Sequence, residues 1–175
     1  MIPLSSNKLM LLYICMYICC IYMKIEDDIK TTKISDNKKA IVNVIFTSNF
    51  LFDEISNVLK PFDLSVQQFN VLRILKGKGG PANLSFVQER MISRMSNTSR
   101  LVEKLAQKNL VSRKICEYNR RKIEIFITEK GENLLEVVST LVDQREIEIT
   151  NSLSRKQLQD LNNLLNNLRT LTLKT

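Results

Sequence analysis

Between residues 38 and 60 apolar side chains recur at helical spacing (Ile41, Val44, Ile45, Phe52, Ile55, Val58, Leu59), which predicts an amphipathic helix. Pro61 ends it, because a proline disfavours the helical conformation of the residue before it. Ser65 with Gln68 three positions on is the spacing of a capping box, so a second helix starts there and buries Phe69, Leu72, Ile74 and Leu75. It stops at Gly77-Lys78-Gly79-Gly80-Pro81, a run that holds three of the four glycines and reads as a turn. Two short helices follow, at about 85–91 and 96–109, and then two strands, 110–115 and 122–127. The second strand alternates, with Ile123, Ile125 and Ile127 on one face. Glu117-Tyr118-Asn119-Arg120-Arg121 lies between them and predicts a hairpin with arginines at its apex. Thr128 caps a long helix through Leu134, Leu135, Val138, Leu141, Val142 and Ile149, with Gly131 tolerated in its first turn. Ser154 caps a last helix bearing Leu158, Leu161, Leu164, Leu165, Leu168 and Leu171. The pattern is mainly α with one small β-hairpin, in the order α-α-α-α-β-β-α-α.

Length and charge narrow this picture. A chain of 175 residues suits one domain with a real core, and 44% hydrophobic with 25% charged residues is ordinary globular composition. The net charge of +8 is not spread evenly. Residues 90–122 hold ten basic side chains against two acidic ones, Glu103 and Glu117, and so carry the whole excess. A solvated face normally mixes both signs, so this segment is expected to meet a polyanion.

The chain contains no histidine, the commonest general base and metal ligand. No nucleophile stands beside a base, and the glycine run lacks the Gly-Lys-Ser/Thr ending of a phosphate-binding loop. No catalytic residue, metal site or cofactor is expected, and an enzyme is disfavoured. The cysteines are Cys15, Cys19, Cys20 and Cys116, with no CxxC pair, which fits a cytoplasmic chain with reduced thiols. Residues 9–23 are fifteen positions without charge, short of the roughly 20 that span a membrane. The expectation is that translation starts at Met23 and that residues 1–22 are an upstream apolar extension. The alternatives are a membrane anchor, which would tether the chain to a membrane, and a signal peptide, for which no small-x-small cleavage site precedes Glu26.

Where the charge concentrates, the helix opens Ser96-Asn97-Thr98-Ser99-Arg100. A helix-turn-helix lays its second helix in the major groove, about 12 Å wide, and small polar residues at that helix's start let the backbone come close. Ser96 can cap, Asn97, Thr98, Ser99 and Arg100 offer hydrogen bonds to bases or phosphates, and Leu101, Val102 and Leu105 seat the other face on a core. Alone this is an ordinary amphipathic helix. A hairpin bearing Arg120 and Arg121, able to reach a minor groove or clasp phosphates, follows it directly. Recognition helix plus arginine-bearing wing predicts a winged helix-turn-helix flanked by N- and C-terminal helices, and, were the apolar run at residues 9–23 a genuine anchor, a membrane-tethered DNA-binding regulator.

The segment SRMSNTSRLVEKLAQKNLVSRKICEYNRRKIEIFITEKGENLL, residues 93–135, resembles the MarR family of winged-helix regulators. The likeness lies in the recognition helix, the Leu-Val-x-Arg approach to the wing at Arg113, the wing itself and the Thr-Glu-Lys-Gly exit at Thr128, and with the flanking helices it extends over residues 36–175. It implies a DNA-binding lobe at 61–130 and dimerisation helices at 38–60 and 131–173. It further implies double-stranded DNA with a pseudo-palindromic operator as partner, a homodimer, and repression of a nearby gene relieved by a small-molecule effector. Lys104, Arg113, Asn119 and Lys122 join the candidate DNA contacts. Two departures stand out. Asn109 replaces the usual glycine after the recognition helix, and asparagine is next best for a left-handed C′ residue. Asn119-Arg120-Arg121 replaces Asp-x-Arg, which makes the tip more positive. Arg121 is the arginine that the resemblance sends into the minor groove, though Arg120 could replace it. The leucines of the last helix suit a partner copy or a packing on their own domain. Cys116, near Lys114, is an oxidation-sensitive thiol or simply a small strand residue.

Overall fold

The computed structural model describes residues 34–93, 97–116 and 119–170. The expectations for residues 1–22, for Ser96 and for Leu171 lie outside the described residues. Among the described residues six α-helices, one 3-10 turn and one antiparallel hairpin follow in the order α1 (Asp36–Leu59), the 3-10 turn (Lys60–Phe62), α2 (Val66–Lys78), α3 (Leu84–Arg90), α4 (Thr98–Gln107), β1 (Val111–Cys116), β2 (Asn119–Ile127), α5 (Glu129–Thr150) and α6 (Arg155–Thr170). The mainly helical class with a small hairpin is therefore observed. The chain divides between Leu51 and Phe52 into two compact units.

In the first unit the described residues are those up to Leu51, and they form most of α1. Ile41, Val44, Ile45, Phe46 and Phe50 are all exposed there. The second unit holds the core. The last turn of α1 enters it through Leu59, with Ile55 and Val58 half-buried. Pro61 sits in the 3-10 turn that ends the helix, and Asp63 follows in the left-handed region with φ 51°. Its N–H donates to the Lys60 carbonyl (3.1 Å), and the Leu64 N–H to Leu59 (3.3 Å). Asparagine and aspartate tolerate that conformation better than other non-glycine residues.

The capping box that opens α2 is formed as expected. Ser65 Oγ accepts from the Gln68 N–H (3.2 Å), and Gln68 Oε1 accepts from the Ser65 N–H (3.0 Å). The helix runs through Gly77 to Lys78 and ends on Gly79, whose left-handed φ of 66° favours glycine. Val71 takes a core position that the periodicity missed, while Ile74, expected in the core, is only half-buried. Helix α3 starts one residue earlier than expected, because Asn83 caps it by accepting from the Phe86 N–H (2.8 Å).

Ala82 forms a short third pairing against the hairpin. Its N–H donates to Ile125 (3.0 Å), and its carbonyl accepts from the Ile125 N–H (2.7 Å). This bridge ties the α2–α3 loop to the wing and escapes sequence reading, since one residue has no period. The strands pair from Val111–Ile127 to Ile115–Ile123, then slip, so that Cys116 pairs with Asn119. The isoleucine face of β2 is graded: Ile125 is buried and Ile127 half-buried, whereas Ile123 and its partner Ile115 are exposed.

The three carbonyls that end α4 and start β1 are all taken by the start of α5. The Lys108 carbonyl accepts from Lys130 Nζ (3.1 Å), Asn109 from Thr128 Oγ1 (2.8 Å) and Leu110 from the Thr128 N–H (3.1 Å). Thr128 Oγ1 in turn caps α5 by accepting from the Gly131 N–H (3.1 Å). Gly131 is required here rather than merely tolerated: a Cβ on it would lie 2.1 Å from the Leu110 carbonyl oxygen. Further along α5 Leu135, Val138 and Val142 are buried and Leu141 is exposed. Near its end Arg145 binds Glu54 of α1 through Nε (2.7 Å) and Glu148 through Nη1 (2.6 Å). The hydrogen bonds to Glu148 and then Glu54 raise the guanidinium above its ordinary value. The cation therefore persists at any working pH, and this pairing would weaken from the arginine side only as pH rises through that raised value.

Ser154 caps α6 with Gln157 as a second capping box (2.8 and 3.3 Å). No residue of α6 is buried. Among the described residues no helix is long and apolar enough to cross a membrane.

Candidate nucleic-acid interface

Helices α3 and α4 form the helix-turn-helix, and α4 packs on α2, α3 and β1. Val102 and Leu105 anchor its inner face in the core, with Leu101 and Ala106 half-buried beside them. Its start differs from expectation. The cap is Asn97, whose Oδ1 accepts from the Arg100 N–H (3.1 Å), while its carbonyl accepts from the Leu101 N–H (3.1 Å). Thr98 is only 4% exposed and so belongs to the inner face, unlike its neighbours Asn97, Ser99 and Arg100, which are exposed.

The helix ends in a Schellman motif. Lys108 is the C-cap, Asn109 holds the left-handed conformation with φ 59°, its N–H donates to Ala106 (2.9 Å), and the Leu110 N–H reaches back to Leu105 (3.0 Å). Leu105 and Leu110, both buried, make the accompanying apolar contact. Asparagine at position 109 thus preserves the turn where the resemblance implies glycine.

The outer surface of α4 presents two polar edges. Asn97, Arg100 and Lys104 line a groove of about 310 Å³ with Gln67 of α2. Ser99 lies instead with Arg113 of β1 around a small pocket of about 70 Å³ floored by Val102 and Ile125. The fold therefore brings five of the expected contact residues onto one helix and its adjoining strand. Gln67 is an addition to them, and its only sequence signal is its place in the first turn of a capped helix. Among the described residues Arg100, Lys104 and Arg113 have no acidic side chain within ion-pair distance; Lys108 does, at Asp63 (2.9 Å). Uncompensated cations around a helix start give a surface suited to phosphate.

The backbone places Asn119, Arg120, Arg121 and Lys122 inside β2, so the arginines open the strand instead of standing at the hairpin's apex. In β1 Lys114 Nζ lies 5.5 Å from the centre of the Phe126 ring, and Lys114 pairs across the ladder with Glu124. On α3 the Arg90 guanidinium stacks 3.6 Å from the Phe86 ring centre, and Lys78 approaches the same ring at 5.2 Å. Both arrangements hold cations over an aromatic face in solvent. Among the described residues no cluster of three or more acidic or cysteine side chains could hold a metal.

The arrangement has known counterparts. The MarR family model matches residues 64–123, from the end of the 3-10 turn into β2. The HTH-type transcriptional regulator MgrA of Staphylococcus aureus is 29% identical over 110 residues, covering 63% of this chain and 73% of that protein. A MarR-like transcription regulator from Bacillus cereus superimposes with a TM-score of 0.70 at 20% identity, over 77% of this chain and 96% of the other. The organohalide-sensing RdhR regulator, in its 2,4-dichlorophenol-bound form, gives 0.74 at 18% identity, over 81% and 83%. At such identities the two structures speak for the winged-helix fold.

Proposed function

Because the chain belongs to the MarR family of winged helix-turn-helix transcriptional regulators, we propose that it binds a pseudo-palindromic operator as a homodimer and represses a nearby gene until a small ligand releases it. The observation that carries this reading is the outer surface of α4, where Asn97, Ser99, Arg100 and Lys104 stand exposed beside Arg113 while Val102 and Leu105 fix the helix to the core. Asn97, Ser99 and Arg100 read base edges, and Lys104 and Arg113 hold phosphates, together with Ser96 ahead of the helix. Asn119, Arg120, Arg121 and Lys122 at the start of β2 serve the wing, with Arg121 in the minor groove.

Support for the dimer comes from the apolar residues left uncovered within each unit: Ile41, Ile45 and Phe50 on α1, and Leu161, Leu164 and Leu168 on α6. Surfaces of this kind call for a partner, and a second copy is the simplest one. A small-molecule effector is in keeping with the dichlorophenol held by RdhR. The cytoplasm is the compartment where such a protein meets its operator.

Selecting DNA from a random pool with the purified protein tests this. The expected product is one enriched sequence with inverted half-sites about one helical turn apart. Arg121→Ala should then weaken binding to all sequences alike, whereas Asn97→Ala and Arg100→Ala should also change which sequence is preferred. No enrichment, or a site without inverted halves, would refute the proposal.

A further inference from the structure

Lys104 and Lys108 stand one helical turn apart at the end of α4, carry the same charge and line the same groove of about 570 Å³ beside the start of α2. Their surroundings differ. Lys104 is exposed and has no acidic partner among the described residues. The Lys108 side chain is only 27% exposed; its Nζ lies 2.9 Å from Asp63 Oδ2 and also donates to the Asp63 main-chain carbonyl. Asp63 offers both oxygens because it occupies the left-handed turn between α1 and α2. From the other side, the Lys108 carbonyl is held by Lys130 Nζ (3.1 Å). The residue that closes α4 is thus tied to the foot of α1 and to the start of α5 at once.

We infer that Lys108 is a positioning residue for DNA reading and not a phosphate contact: through Asp63 it sets the tilt of the recognition helix. The inference rests on the DNA-binding reading above. Leverage makes the tie matter. Asn97 and Arg100 sit at the far end of a ten-residue helix, about 15 Å away, so a tilt of about 5° at Lys108 moves them by about 1 Å. Displacements of that size are enough to spoil bidentate hydrogen bonding with base edges.

The decisive variant is Asp63→Asn, because bulk electrostatics and the positioning role predict opposite signs. Removing an acid raises the net positive charge and on charge alone should tighten DNA binding. Loss of the negative charge facing Lys108, with the main-chain carbonyl and a neutral amide oxygen still able to accept from its Nζ, should instead weaken operator binding by about 2-fold. Asparagine accepts the left-handed conformation, so the turn survives. Operator affinity would be measured against salt for the full chain, with unfolding melts confirming that each variant is folded. Lys108→Met, which also gives up the bond to the Asp63 main-chain carbonyl, should lose more, about 5-fold, the double variant no more than Lys108→Met alone, and Lys108→Arg should recover most of it. All of these should keep the wild-type salt slope, while Lys104→Met should lower affinity and flatten the slope by about two units, the share of one neutralised phosphate in each half of the dimer. Tighter binding by Asp63→Asn, or a flattened slope in Lys108→Met, would overturn the positioning role and leave the DNA reading intact. A wild-type protein without salt-dependent operator binding would overturn both.

Discussion

Helices α4 and α6 are written in the same pattern and meet different surroundings. Each starts at a side-chain cap, Asn97 or Ser154, and each carries apolar residues at spacings of three and four. In α4 that stripe disappears into the core at Val102 and Leu105. In α6 the stripe is as regular, yet Leu164 is 66% exposed and no residue is buried. The contrast lies in what stands opposite: α2, α3 and β1 for one helix, and for the other the second copy proposed above. Periodicity announces that a face will be covered and leaves open by what.

This comparison can be broken or sharpened by substitution. The largest effect belongs inside the lobe. Leu105→Ala empties a fully buried site at the end of α4, and should cost about 2–5 kcal/mol in chemical denaturation at any protein concentration. Gly131→Ala drives a methyl into the Leu110 carbonyl, and the expected loss is about 3 kcal/mol; a melt unchanged from wild type would mean that α5 starts elsewhere. Asn109→Ala retains the helix but forces alanine into the left-handed region, costing about 1 kcal/mol in the same denaturation assay. Leu164→Glu on α6 is the smallest in this measure, within about 0.5 kcal/mol for the isolated chain. Its signature is different in kind: the melting temperature should stop rising with protein concentration, as monitored by calorimetry across a dilution series. If Leu164→Glu instead destabilises dilute protein as Leu105→Ala does, α6 is covered by its own chain and the contrast disappears.

What was legible in the sequence follows the range of the interactions involved. Ser65 with Gln68, Thr128 with Gly131, and Asn109 at a left-handed turn are local rules, each satisfied within five residues, and each appears where expected. Helix α4 and the hairpin were legible too, since their periodicities run unbroken over thirty-odd positions. The misses are tertiary. Nothing in the local sequence says that Ala82 pairs with Ile125, that Thr98 turns inward while Ser99 turns outward, or that Asp63 meets Lys108. The cap falls on Asn97 where the sequence offered Ser96, since the local pattern does not separate two adjacent residues of similar capping ability. Gly131 looked incidental for a related reason: its role depends on a carbonyl 21 positions earlier in the chain.

The row of carbonyls at Lys108, Asn109 and Leu110, each claimed by Thr128 or Lys130, makes the hairpin a closed loop knotted at its base. Chain length can change between Cys116 and Asn119 without disturbing the knot, whereas one residue inserted beside Thr128 would shift every one of those bonds. Protein engineers are thereby offered an asymmetry: the reach of the hairpin can be altered at its tip, while the seat of α4 depends on the bonds at its base.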